Sequence, residues 1–171
     1  MSYITYDYYV ALYGSESLTS EQFNVVSWDA FRKLDMHTTG IDGVRKLKVA
    51  FPVDEYDAET VKRCCAKLVH IATQIAAAEN SVNNSRGYTE TANGLQGKVV
   101  SSISAGNESI SFSTGGSGAT IIDKALSDEA VQKKLYSDTI REYLSGVKDA
   151  NGVNLLYMGC YPFVVRGNSH V

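Results

Sequence analysis

An apolar repeat in the middle of the chain limits its fold more than any other feature. Val61, Leu68 and Ile75 recur every seven residues, and Cys64, Cys65, Ile71, Ala72 and Ala78 fill the positions between them. That spacing gathers the side chains on one face of an α-helix. Pro52 lies just before the run, and Asp54 or Asp57 can cap it. Asn83, Asn84 and Ser85 close it, because their side chains compete for backbone hydrogen bonds. The pattern predicts an amphipathic helix of about six turns. Its small residues allow other helices to approach closely.

Two helices are expected upstream. The first runs from about Thr5 to Tyr13, with Thr5 as N-cap, Asp7 in the first turn and Gly14 as the stop. The second starts near Thr19 or Ser20. Ser20 followed by Phe23 makes an incomplete capping box, while Glu21 and Gln22 suit a helix start. Phe23, Val26, Ala30 and Leu34 form its stripe, broadened by Trp28 and Phe31, and Thr38-Thr39-Gly40 ends it. Residues 41–51 read as a loop or a short helical turn.

The period changes after the long helix. Residues 86–97 read as an irregular connection. Lys98–Ser104 and Glu108–Ser113 are rich in Ser and β-branched residues, and Ile110 and Phe112 alternate with serines. Ala105-Gly106-Asn107 supplies turn chemistry. A β-hairpin near 98–113 is expected, and a lone hairpin needs helices or another subunit to rest on. Thr114 to Gly118 is a flexible joint. A fourth helical region spans about Asp123 to Leu144, with a break at Ser127, where Asp128 and Glu129 signal a new start. Gly146 ends it and Asn151-Gly152 marks a turn. Val153 to Val165 is apolar and extended, and 166–171 is frayed. The expected fold is mainly α. It is a helical bundle of about four helices with one protruding β-hairpin and an extended C-terminal tail. Its domains are a helical one over 1–152 and a tail over 153–171.

Composition excludes several classes. With 44% hydrophobic and 20% charged residues, the 171-residue chain is an ordinary single soluble domain. Its 16 Lys and Arg against 19 Asp and Glu leave a formal charge of −3, with no basic excess for gripping nucleic acid. The first residues have neither the basic nor the apolar region of a signal peptide. No apolar run approaches the roughly 20 residues that span a bilayer. Three cysteines, Cys64, Cys65 and Cys160, form no disulfide framework and read as reduced cytoplasmic thiols. Eleven tyrosines are present, and Tyr3, Tyr6, Tyr8, Tyr9 and Tyr13 crowd the start. They suit a protein interface and an aromatic cover over the core equally well.

No constellation for chemistry emerges. His70 follows Cys64 and Cys65 on the long helix, so the three admit two readings, a Cys–His nucleophile or small hydrophobes beside an ordinary histidine. The second reading is preferred. His37, His70, His170 and the cysteines lack zinc-finger spacing, so no metal or other cofactor is expected. Gly115-Gly116-Ser117-Gly118 is followed by Ala119 where a phosphate loop needs Lys. The triplets at Asn83 and Asn107 match a glycosylation pattern but have no secretion signal to give them meaning. Lys62-Arg63 and Lys133-Lys134 read as solvated helix faces.

The parts that remain resemble a known family. Tyr3-Ile4-Thr5-Tyr6-Asp7-Tyr8-Tyr9, Leu12-Tyr13-Gly14 and the helix opening at Glu21-Gln22-Phe23 are similar to the start of head–tail connector (adaptor) subunits of tailed bacteriophages of Gram-positive hosts. Ile110-Ser111-Phe112-Ser113 resembles the end of their Ser-rich hairpin, and Val153-Asn154-Leu155-Leu156-Tyr157-Met158-Gly159 resembles their closing Gly-Leu-Leu-Tyr-Arg-Gly. Asn154 stands where that family carries Gly, and Met158 where it carries Arg, which leaves a charge-based contact without its cation. The likeness runs in order along nearly the whole chain.

It implies a non-enzymatic virion protein, made in the host cytoplasm and placed at the head–tail interface. Such subunits form a homo-oligomeric ring, commonly a dodecamer, beneath the portal protein. The ring extends the DNA channel without sequence-specific binding and gives a downstream tail-side or stopper protein its platform. Leu155, Leu156, Tyr157, Gly159, Tyr161 and Phe163 are the implied contacts to the portal or a neighbour. Val100, Ile103, Ile110 and Phe112 are the implied hairpin contacts. Two alternatives stand beside it: another phage assembly protein, such as a tail-completion or stopper protein, and a small cytoplasmic thiol enzyme using Cys64 or Cys65.

Overall fold

Short polar side chains set four of the described helix starts in this chain. Thr5 Oγ1 accepts the Tyr8 N–H at 3.3 Å and opens α1 (Tyr6–Tyr13), which Gly14 closes at φ 80°. Thr19 opens α2 (Ser20–Thr38) with a full capping box: Gln22 N donates to Thr19 Oγ1 at 3.3 Å, and Thr19 N to Gln22 Oε1 at 3.1 Å. The box expected at Ser20 and Phe23 is therefore shifted by one residue. Phe23 has no polar group to return the bond, whereas Gln22 does.

The computed structural model describes residues 2–16, 18–85, 88–91, 94–97, 103–105, 108–110 and 121–162. The single-turn α3 (Lys46–Val49) follows α2, then the 31-residue α4 (Glu55–Ser85), where Asp54 Oδ1 accepts the Asp57 N–H at 3.0 Å. Two short antiparallel pairs come next: β1 (Tyr88–Thr91) with β2 (Gly94–Gly97), and β3 (Ile103–Ala105) with β4 (Glu108–Ile110). In the second pair Ile103 faces Ile110. α5 (Ile121–Ser127) and α6 (Glu129–Leu144) end the set, and Asp128 caps the junction by accepting the Ala130 N–H at 2.8 Å. The chain is mainly helical. None of its described helices is long and apolar enough to cross a membrane.

The chain divides into two compact units, residues 1–73 with 133–171, and residues 74–132. The first unit holds most of the buried side chains. Val61, Cys64, Cys65, Leu68 and Val69 of α4 are completely buried there. They share the interior with Tyr9 of α1, Phe23, Ala30, Phe31 and Leu34 of α2, Leu47 of α3, and Tyr136, Ile140 and Leu144 of α6. In the second unit Ile75 and Ala125 are buried.

The N-terminal tyrosines turn inward. Tyr3 lies edge-on to Phe31 and stacks on Phe51. Tyr6 donates to the Leu18 carbonyl at 2.8 Å, Tyr8 donates to Glu59 at 2.7 Å, and Tyr13 stacks on His70 at 4.2 Å. The rings cover the core, and the hydroxyls of Tyr3, Tyr6 and Tyr8 each have an acceptor, so the aromatic-cover reading fits these residues.

Two expectations are corrected. Trp28 does not broaden the buried stripe of α2: it is 62% exposed, because it lies across the helix from Phe23 and Ala30. Residues 153–162 do not run free as an extended tail beyond a domain ending at 152. They turn back into the first unit, with Leu155 N bonded to the Val147 carbonyl at 3.0 Å and Leu155 fully buried. Residues 163–171 lie outside the described residues.

This core predicts two stability losses. Leu68→Ala leaves a cavity with little room to collapse and should cost about 2–5 kcal/mol. Thr19→Ala should cost about 1 kcal/mol. Urea unfolding followed by circular dichroism reads both. Equal losses at the two positions would contradict the placement of Leu68.

Candidate functional site

The residues expected to make contacts sit on a braced C-terminal segment. After α6, Asp149 organises a tight turn: its Oδ1 accepts the N–H groups of Asn151 and Val153, each at 2.9 Å. Its Oδ2 accepts the Tyr161 hydroxyl at 2.5 Å, and that hydroxyl accepts from Asn151 Nδ2 at 2.8 Å. Gly152, at φ 77°, lets the chain reverse. Burial and then the Asp149 carboxylate push the Tyr161 phenol up from its ordinary value.

Lys46 ties this segment to the helices. It is fully buried, and its Nζ donates to the carbonyls of Leu155, at 3.0 Å, and Tyr157. Burial pulls its ammonium down from the ordinary lysine value, and the carboxylates of Asp149 and Asp42 partly restore it. The loop after α2 holds the segment from the other side. Ile41 N donates to the Met158 carbonyl at 3.0 Å, and Tyr161 N to Asp42 Oδ2 at 2.6 Å. Gly40 permits that approach, since a Cβ there would stand 2.6 Å from the Gly159 carbonyl oxygen.

The six implied tail contacts therefore separate. Leu155 and Tyr161, at 0% and 3% exposure, are core anchors of their own chain and offer no surface to a partner. Leu156 and Gly159 are half-buried, and a Cβ on Gly159 would overlap the Tyr157 ring. Tyr157 and its neighbour Met158 are 51% and 58% exposed. Phe163 lies outside the described residues. Of the hairpin contacts, Val100 and Phe112 also lie outside them, while Ile103 and Ile110 are backbone partners.

Two surface depressions lie on the first unit. One, of about 860 Å³, is lined by Trp28, Phe31, Arg32, Asp35, Met36, Thr39, Gly43, Arg45 and Lys48. Arg32 sits 5.6 Å from the Trp28 ring centre. Asp35 takes the Tyr3 hydroxyl and pairs with Lys48 at 3.2 Å. The other, of about 590 Å³, is lined by Tyr56, Glu59, Thr60, Arg63, Glu142 and Tyr143. There Arg63 pairs with Glu59 at 2.9 Å. The Tyr8 hydroxyl and then Arg63 hold the Glu59 carboxyl below its usual range.

Cys64 and Cys65 are buried, which places them poorly for nucleophilic chemistry. Burial pushes Cys64 up to about 12 and Cys65 well above the usual thiol value, so both stay protonated near neutrality. His70 faces Tyr9 and Tyr13 instead, with its Nδ1 3.4 Å from the Tyr9 hydroxyl. Among the described residues no group of His, Cys, Asp and Glu could hold a metal.

Sequence reasoning missed Lys46 and Trp28. Lysine in a short turn reads as solvated, and nothing local marks a buried one. A signal for Trp28 was available: Val25, Trp28, Arg32 and Met36 share a face of α2 separate from Phe23, Ala30 and Leu34. Compared with family models, curated proteins and solved structures, the chain matches none.

Lys46→Met should leave two carbonyls without their donor. The expected loss is about 1–3 kcal/mol, with faster amide exchange across 155–161 than elsewhere. Unchanged exchange there would contradict the brace. A pH effect follows from the imidazoles. Burial lowers His37 and His70 below 6.5, helped by Arg141 and Lys67 respectively. Below that value the unfolded chain binds more protons than the folded one, so stability falls as pH drops from 6.5 toward the folded-state values. A His37→Asn/His70→Asn pair should flatten the urea midpoint between about pH 7 and 5.

Proposed function

We propose that this chain is a non-enzymatic structural subunit of a bacteriophage head–tail connector ring. In this reading it docks beneath the portal protein and extends the DNA channel, which the DNA crosses without sequence-specific contacts. It offers the next tail-side protein a platform and resides in the virion at the head–tail interface, after assembly in the host cytoplasm.

The observation that carries the reading is how the closing segment is held. In Leu155-Leu156-Tyr157-Met158-Gly159, Leu155 is anchored in the core and the backbone is clasped by Lys46, while Tyr157 and Met158 face solvent. An aromatic and a methionine displayed on a rigid support suit docking: the contact groups are apolar, and little entropy remains to be lost on binding. The ordered resemblance to connector subunits along the chain supports the same assignment. Helix content supports a connector over a strand-rich tail-completion or stopper protein. Helices α2, α4 and α6, of 19, 31 and 16 residues, by themselves exceed a third of the 171-residue chain. A protruding hairpin that includes β3 and β4 and makes neighbour or tail-side contacts belongs to this proposal.

Light scattering of the chain mixed with its cognate portal protein tests it. A stoichiometric complex with the portal ring is expected, and Tyr157→Ala with Met158→Ala should weaken it about tenfold or more. A chain that ignores the portal would sink the reading.

A further inference from the structure

We infer that the Trp28–Arg32–Met36 groove is one half of a contact between two copies of this chain, and that its other half is the Tyr56–Glu142 depression. The inference rests on the ring assembly proposed above and assigns its surfaces.

The first argument is the double character of α2. Phe23, Ala30, Phe31 and Leu34 bury one face. Val25, Trp28 and Met36, spaced three and eight residues apart, leave a second face 71%, 62% and 65% exposed. A helix with an apolar stripe on both sides has one stripe more than its own core uses. Trp, Met and Arg are also the residues enriched at interface centres, and the Arg32 guanidinium already lies against the Trp28 ring.

The second argument is charge. The groove carries Arg32, Arg45 and Lys48 against the single carboxylate Asp35, which pairs with Lys48. None of the described ion pairs uses Arg32 or Arg45. The second depression has the opposite balance: Glu59 and Glu142 against Arg63, which pairs with Glu59, so Glu142 is its uncompensated charge. Each depression also displays an exposed ring, Trp28 in one and Tyr56, 79% exposed, in the other. The two sets share no residue, as a heterologous contact requires, and a heterologous contact repeated around an axis closes a ring. A basic aromatic groove and an acidic aromatic one on the same chain complement each other in sign and composition.

Charge exchange tests this directly. Arg45 and Glu142 are exposed, so Arg45→Glu and Glu142→Arg should leave the circular dichroism and urea midpoint of the chain unchanged. Sedimentation velocity of each full-length protein, alone and with the portal ring, reads assembly. Each single variant should self-associate about tenfold more weakly than wild type, and the double variant should recover most of that loss. Equal assembly by all forms, loss without recovery, or a wild-type chain that stays monomeric both alone and on the portal would overturn the inference. Portal binding separates it from the broader proposal. Portal-bound rings that form equally well with every variant refute this surface pair and leave the connector reading standing. Self-association rescued by the double variant in a chain that ignores the portal does the reverse.

Discussion

A primary ammonium with no exposed surface must find acceptors or lose its charge. Lys46 finds them in the backbone carbonyls of Leu155 and Tyr157, more than a hundred residues away in the chain. Two carboxylates, Asp42 and Asp149, stand close enough to favour its charged form. The same two groups hold the segment by other means, Asp42 through the Tyr161 N–H and Asp149 through the Tyr161 hydroxyl. One buried cation thus sits within a polar network whose members each bind the segment separately. Such a network specifies one arrangement, since shifting any member leaves a partner unsatisfied. No buried side-chain polar atom among the described residues is left without a hydrogen bond.

The helices beneath this network follow simpler rules. Alternating use of apolar residues and small ones lets α4 place Cys64, Cys65 and Ala66 side by side in the interior with no exposure. Cysteine here acts as a compact hydrophobe, and its raised pKa is a consequence of that packing. The N-terminal tyrosines complete the cover with rings inward and hydroxyls aimed at fixed acceptors such as Glu59 and the Leu18 carbonyl. Burial and Glu59 push Tyr8 up to about 12, so this phenol remains a donor across the physiological range.

How much of this could be read from sequence depended on whether the deciding contacts were local. The stripe of α4, the Thr5 cap, the Gly14 stop and the break at Ser127 involve residues within a few positions of each other, and they were legible. The Thr19 box was misplaced by one residue because Ser20 is an equally good cap by type. The fate of the C-terminal segment was not legible, because it depends on Lys46 and Asp42, which periodicity does not connect to residues 155–161. Its apolar composition suggested an unsatisfied surface, yet Leu155 and Tyr161 satisfy it internally. Trp28 differs for another reason: it is apolar by type, but its place on the helix puts it on the exposed face with Val25 and Met36.

Those two failures bear on function in opposite directions. Burying Leu155 and Tyr161 removes two of the five described contact candidates in the tail, but it also fixes the backbone that carries Tyr157 and Met158. A flexible tail would lose conformational freedom on docking, whereas a clasped one has already lost it during folding. Exposing Trp28 and Met36 does the reverse: a helix already stabilised by one apolar face is given a second. In a chain with a −3 formal charge, placing Arg32, Arg45 and Lys48 around that face concentrates cations where the average surface has none to spare. Local charge opposite in sign to the whole favours one approach orientation over others. In the proposed ring that orientation would matter more than affinity, because a weak contact repeated in register closes a structure that a strong contact in the wrong register would jam.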